Sequence, residues 1–389
     1  MKKIRNSLSL LKIEIVLTKS LIAMPIMVPF FNSIGMNQWM IGVSQSLFTI
    51  ALFLVNIPTG WLADKFSRRL SNAIGDLLTG ILFICYSYVN NFGQVVLVET
   101  LLGISISLSH GADSGLLKAY SQKLDSSGKT FRKQIASIAF WVPIAQIIAY
   151  IIGSYIGAFD VRMAIFVTSI PFFVGFLIGV FIKEEGEKLE SKHRNPIRDI
   201  VHFTHLTLNG SRQLRWRIFS YVVGSKITHV MIWALTPLLI LAKVPLSIVG
   251  AGWAMNAASI AIGARLAAKY SGNMPIWKKF LLPSLAVISA LFIMSVHLSI
   301  FTIWLYSMLG FAQGWVSVTL LPSVQEIAPD NMQAIVVSVA GTISQIVYAA
   351  LLPIICYAGN IDIRLTMVAT IIIFLPMIIV TTNKLRNFG

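Results

Sequence analysis

The sequence predicts an all-α polytopic membrane protein with about twelve transmembrane helices. Three observations carry that reading. Hydrophobic residues make up 56% of the 389, only 12% are charged, and the apolar residues run in stretches long enough to cross a bilayer. Soluble domains carry about twice that charge. A helical span needs about 20 apolar residues, and backbone groups in lipid are satisfied only within helices or closed barrels. Barrel strands would alternate in polarity; these runs do not.

Spans are expected near 12–33, 39–62, 70–90, 93–117, 134–158, 161–182, 217–242, 246–268, 279–296, 299–325, 333–357 and 364–383. Met1-Lys-Lys-Ile-Arg5 leads straight into the first, which carries Glu14 and Lys19, and no small-residue cleavage site marks a removable leader. Between spans two and three lies Gly60-Trp-Leu-Ala-Asp64-Lys65-Phe-Ser-Arg68-Arg69. An acid and three basic residues are costly beside hydrocarbon, so a link this short serves more than length. Span four carries Glu99, His110 and Asp113; span five carries Trp141, Gln146 and the small residues Gly153 and Gly157, which favour close helix packing. The one long hydrophilic stretch, Lys183 to Arg215, then separates six spans from six. It divides the chain into a bundle over 1–182, a cytoplasmic linker over 183–215 and a bundle over 216–389. Lys226 and His229 fall in span seven, Gln313 and Trp315 in span ten.

A net charge of +16 in a soluble chain would point to nucleic acid. Here 26 of the 31 Lys and Arg residues fall at the termini and in alternate loops on one side. Arg162, Lys243 and Arg364 fall on the other. The positive-inside rule then places both termini in the cytoplasm of a bacterial-type inner membrane and requires an even number of spans. No nucleic-acid role is expected. Cys85 and Cys356 lie in apolar runs, where isolated cysteines behave as small hydrophobes.

The Gly60 to Arg69 segment resembles the loop signature of the major facilitator superfamily, Gly-x-x-x-Asp-x-x-x-Arg-Arg, with Ser67 in place of its usual last glycine. In span four, Glu99-Thr-Leu-Leu-Gly103 keeps the frame of the superfamily's Arg-x-x-x-Gly but inverts the charge. Ala139-Phe-Trp141-Val-Pro143-Ile-Ala-Gln146 lacks the Gly-Pro pair of many proton-driven drug exporters. The resemblance implies two six-helix bundles, with spans one, four, seven and ten lining a cavity. It makes Gly60, Asp64, Arg68 and Arg69 an inner gate, with Asp64 facing the start of span eleven near Asn331-Met-Gln333 and Asp113 pairing with Arg68 or Arg69. Asp76 is a further candidate for that cluster. Parallel repeats are expected of such a fold, and a shift of 208 residues places Pro29 on Pro237 and Lys19 one position from Lys226.

Ionisable groups at membrane depth are functional suspects. Lys226 and His229 share a helix face with Trp233 below them, and with Lys19 they form a candidate clamp for a carboxylate or phosphate. Snorkelling of Lys19 to the interface and salt bridges to Glu99 or another acid are the structural alternatives. Glu99, His110 and Asp113 are the candidate proton carriers, because a carboxyl in a low-dielectric cavity holds its proton more tightly and histidine titrates near neutrality. Trp141, Gln146 and Gln313 are candidate solute contacts; the same types also serve packing.

No Walker, dinucleotide or zinc-ligand pattern occurs, so neither cofactor nor metal is expected, and no nucleophile–base arrangement suggests an enzyme. The expected function is secondary transport by a monomer. Its cargo would be a small anionic or zwitterionic organic solute (a carboxylate, an amino acid or a carboxylate siderophore), moved by alternating access and proton-coupled symport. A proton-antiport exporter using Glu99, a non-transporting receptor and a lipid flippase are the alternatives.

Overall fold

The computed structural model describes residues 2–65, 67–125, 128–182, 211–328 and 333–388, and among these every regular element is helical. The linker expected at 183–215 therefore lies mostly outside the described residues. In chain order the α-helices are α1 (Lys2–Thr18), α2 (Met27–Ser33), α3 (Gln38–Lys65), α4 (Arg68–Ser87), α5 (Phe92–Leu124), α6 (Lys129–Phe159), α7 (Val161–Val167) and α8 (Ser169–Phe181). They continue with α9 (Arg212–His229), α10 (Leu235–Leu241), α11 (Leu246–Tyr270), α12 (Ile276–Val296), α13 (Ser307–Glu326), α14 (Gln333–Ala358) and α15 (Leu365–Arg386). Polar side chains set several starts: Ser67 Oγ accepts from Leu70 N, Asn91 Oδ1 from Gln94 N and Ser211 Oγ from Leu214 N. Ser67 thus caps α4, which gives the departure from glycine in the loop signature a local purpose.

Ten helical stretches among the described residues are long and apolar enough to cross a membrane. The two other runs read from the sequence, 12–33 and 299–325, are helical in a different form. The first breaks into α1, a 3-10 turn at Met24–Ile26 and α2, and the second enters α13 through a 3-10 turn at Ile303–Tyr306.

The chain divides into two compact units. One comprises Met1–Met36, Leu47–Arg194 and Leu246–Ala251; the other comprises Asn37–Ser46, Asn195–Pro245 and Gly252–Gly389. In the first, α1 and α4 both pack against α5 and α8. In the second, α9 packs against α12, α13, α14 and α15. A shift of 208 residues superposes the element boundaries as well as the two prolines. It carries Met24–Ile26 onto the 3-10 turn Ile232–Ala234, α2 onto α10, and the first residues of α3 and α4 onto those of α11 and α12.

Each unit therefore contains one broken span, and each break is closed by side chains. A break at membrane depth strands backbone groups that lipid cannot satisfy. In the first unit Thr18 Oγ1 donates to Glu14 O (3.1 Å), Ser20 Oγ to Val16 O (2.7 Å) and Gln146 Nε2 to Lys19 O (3.2 Å), while Thr168 Oγ1 accepts from Ala23 N (2.9 Å). α6 presses so closely on this break that a Cβ on Gly153 would run into the Ile22 carbonyl. In the second unit Tyr306 Oη donates to Met231 O (2.6 Å) between α9 and the following 3-10 turn.

Candidate functional site

The first unit gathers its ionisable groups around the break in span one. Lys19 Nζ lies 3.3 Å from His110 Nε2 on α5, 91 residues further along the chain. Behind them are Glu14 on α1, Asp76 on α4 and Asp113 on α5, all buried. Glu14 is within hydrogen-bonding reach of Asp76, and Asp113 acts electrostatically on both acids and on Lys19. Ser109 Oγ donates to Asp76 Oδ1 (3.0 Å). Gly175 of α8 closes the far side, where a Cβ would stand 2.5 Å from Asp76 Oδ2. Only a residue without a side chain lets that helix approach so near.

Several polar atoms in this cluster have no hydrogen-bond partner: both Glu14 oxygens, both amide atoms of Asn72, Asp76 Oδ2 and Asp113 Oδ1. Leaving such groups unmatched in an apolar interior costs several kcal/mol.

The second unit builds a different site at the same place in its own break. Lys226 Nζ donates to Gln345 Oε1 (3.1 Å) and lies 5.2 Å from the centre of the Tyr348 ring. Trp233 Nε1 donates to Tyr348 Oη (3.1 Å), and the His229 ring meets Tyr348 edge-on at 6.1 Å. Lys226, His229 and Trp233 thus converge on one aromatic ring, as their spacing on one helix face anticipates. Among the described residues Lys226 meets no carboxylate, and His229 Nδ1 is buried without a partner. The site is a buried cation walled by aromatic rings.

Other expected site residues fall elsewhere. Glu99 lies eleven residues before His110, about 16 Å along the helix. It accepts from Tyr86 Oη at 2.5 Å beside Phe30, Phe31 and Phe83. It therefore lies apart from Lys19 along the helix, among aromatic side chains. Gln146 spends its amide on the Lys19 carbonyl, Trp141 is 53% exposed with its edge to Phe140, and Gln313 is half-buried on α13. Asp76 and Asp113 lie near enough to Lys19 to act on it electrostatically. Of Gly60 and Asp64 only the helical backbone is described, and Phe66 and residues 329–332 lie outside the described residues. Arg68 rests over Gly115, two residues from Asp113, whereas the Asp113 carboxyl is grouped with Asp76, Glu14 and Lys19. The sequence reading missed Glu14, Asn72, Gln345 and Tyr348 as site residues and assigned Asp76 to the gate.

The family model of the Major Facilitator Superfamily matches residues 15–381, nearly the whole chain. The chain belongs to this superfamily. It is a multi-pass membrane transporter of that fold. Solved structures agree: the nucleoside transporter NupG has a TM-score of 0.80 at 14% identity, covering 99% of both chains. A bacterial homologue of the human lysosomal transporter Spinster, in an inward-facing and unoccupied conformation, has a TM-score of 0.79 at 13% identity, covering 99% of this chain and 98% of that one. A D-xylose–proton symporter has a TM-score of 0.74 at 12% identity, covering 96% and 97%. No curated protein sequence matches the chain.

Proposed function

We propose that this superfamily member is a secondary transporter that moves a small organic acid or zwitterion (a carboxylate, an amino acid or a carboxylate siderophore) across the inner membrane by alternating access. Uptake is coupled to protons by symport, and the monomer has both termini in the cytoplasm. One observation supports the substrate class above others: Lys226 is buried against Gln345 and the Tyr348 ring, which Trp233 holds, and among the described residues no carboxylate pairs with it. A buried ammonium held only by a neutral amide and a ring is under-compensated. A solute carboxylate supplies the missing charge, and the aromatic wall favours an apolar body attached to it. Proton handling falls to the first unit, where Asp113 and His110 belong to the cluster around Lys19. The exporter alternative relied on Glu99, which Tyr86 holds in an aromatic pocket.

The test is a thermal-shift screen of metabolites on purified protein, repeated on Lys226→Met and followed by uptake into proteoliposomes under an inward proton gradient. Acidic hits should weaken by roughly 2–4 kcal/mol in affinity, the range for unpairing a buried charged contact. If acidic ligands bind the variant as tightly as the parent, or if only neutral and cationic compounds bind at all, the substrate class is wrong.

A further inference from the structure

Two carboxyls in the first unit face each other with nothing to hold them together. Glu14 is 0% exposed and Asp76 1%, and each lies within hydrogen-bonding reach of the other. Neither Glu14 oxygen, nor Asp76 Oδ2, has a donor. A carboxylate can only accept, so two ionised acids at this range repel; a protonated acid gains one O–H donor. A single proton between them turns an unsatisfied contact into a strong charge-assisted hydrogen bond.

The surroundings argue separately for an occupant. Asn72 is 0% exposed, one helical turn before Asp76, and both atoms of its amide are unpartnered. It faces Glu14 without closing a hydrogen bond on it. Such an amide has no packing reason to be there, since an apolar side chain would fill the space at lower cost. As a donor and acceptor beside Glu14, it is suited to a carboxyl that alternates between charged and neutral forms.

We infer that Glu14 and Asp76 form a proton-binding pair, sharing one proton under Asn72, and that this pair is the carrier of the coupling proton. The inference rests on the proton-coupled reading above and moves the proton's binding place within that cluster, from Asp113 and His110 to the interior of α1 and α4. The proton adds to a lone pair of one carboxylate and is hydrogen-bonded by the other. Its release returns it to water, and no bond to carbon changes. Charged groups acting on the pair are Lys19, in the break just after α1, and Asp113 on α5; His110 on α5 lies beside Lys19, and α8 presents Gly175 to Asp76. Asp113 adds negative charge that favours retention of the proton. Movement of Lys19 towards Asp76 favours its loss, so a shift of the broken span would control when the proton leaves.

The experiment is infrared difference spectroscopy on purified full-length protein, wild type against Glu14→Gln and Asp76→Asn, between mildly acidic and alkaline pH. The wild type should show a protonated-carboxyl C=O band near neutrality that disappears on alkalinisation, and both variants should lack it. In proteoliposomes the variants should lose proton-driven accumulation while keeping solute counterflow. A band that is absent in wild type, or that persists in both variants, overturns the pair. Loss of the band on adding sodium at fixed pH also overturns it, in favour of a sodium site. If the band behaves as expected but no solute moves under a proton gradient, the transport reading fails and the pair stands.

Discussion

The two units repeat one backbone plan yet fill it with opposite chemistry. At positions related by the 208-residue shift, Glu14 corresponds to Val222, Asn72 to Phe280 and Asp76 to Ser284. Asn72 and Phe280 are each the fifth residue of their helix and each fully buried. In the first unit that position adjoins unpartnered carboxyls. In the second, Phe280 packs beside Gly224, near Leu320 and Val316, Val222 joins an apolar core, and Ser284 Oγ spends its hydrogen on the Phe280 carbonyl. The second unit keeps its charge at the break itself, on Lys226, and surrounds it with rings. Similar packing thus surrounds different chemistry: under the proposals above, one interior would take up changing charge and the other would support a single cation.

The largest expected effect comes from trying to erase that difference. Phe280→Asn removes a buried ring and leaves an amide among Leu320, Val316 and Gly224 with no carboxyl for it to serve. It should cost about 3–5 kcal/mol, combining lost packing with an unsatisfied polar group. Chemical denaturation in detergent would show it. A cost indistinguishable from that of a surface control would mean the second interior is as forgiving as the first, and the comparison would fail.

A smaller effect separates the two breaks. In the first unit the side-chain hydrogen bonds are backed by a backbone approach: Gly153 of α6 abuts the Ile22 carbonyl, and neither side can rotate away. Gly153→Ala should force α6 outward, with a cost of about 1–3 kcal/mol from overpacking. Proteolysis at the break, or a lowered midpoint of thermal unfolding, would register it. A neutral result would show that the first break has slack and is not held by close approach.

How far the sequence could be read depended on the range of each signal. The superfamily fold and the repeat were legible from run lengths, one loop signature and a pair of prolines, all of which are local. So was the shared face of Lys226, His229 and Trp233, because helical spacing alone determines it. The partners across helices were not legible. Gln345 and Tyr348 lie more than a hundred residues from Lys226, and neither residue type stands out in a membrane helix. Glu14 was visible as a charge at depth, but only the packing of α1 and α4 on α5 and α8 shows that it meets Asp76. Glu99 was legible as an acid at depth for the same reason, while its contact with Tyr86 lies across to the neighbouring helix.

The smallest effect tests the seal of the second break. Tyr306 donates to the Met231 carbonyl, and Ala234 N donates to that same oxygen at 3.0 Å. Tyr306→Phe keeps the ring and removes one of two donors, so the carbonyl is left partly served and not orphaned. The cost should be about 1 kcal/mol, the net worth of one ordinary hydrogen bond. That is less than Gly153→Ala, because a side-chain seal can be loosened without moving a helix whereas a backbone seal cannot. If Tyr306→Phe instead proved the more damaging of the two, the second break would be the more tightly constrained element. The contrast between a yielding charged interior and a rigid aromatic one would then hold at the breaks as well as in the cores.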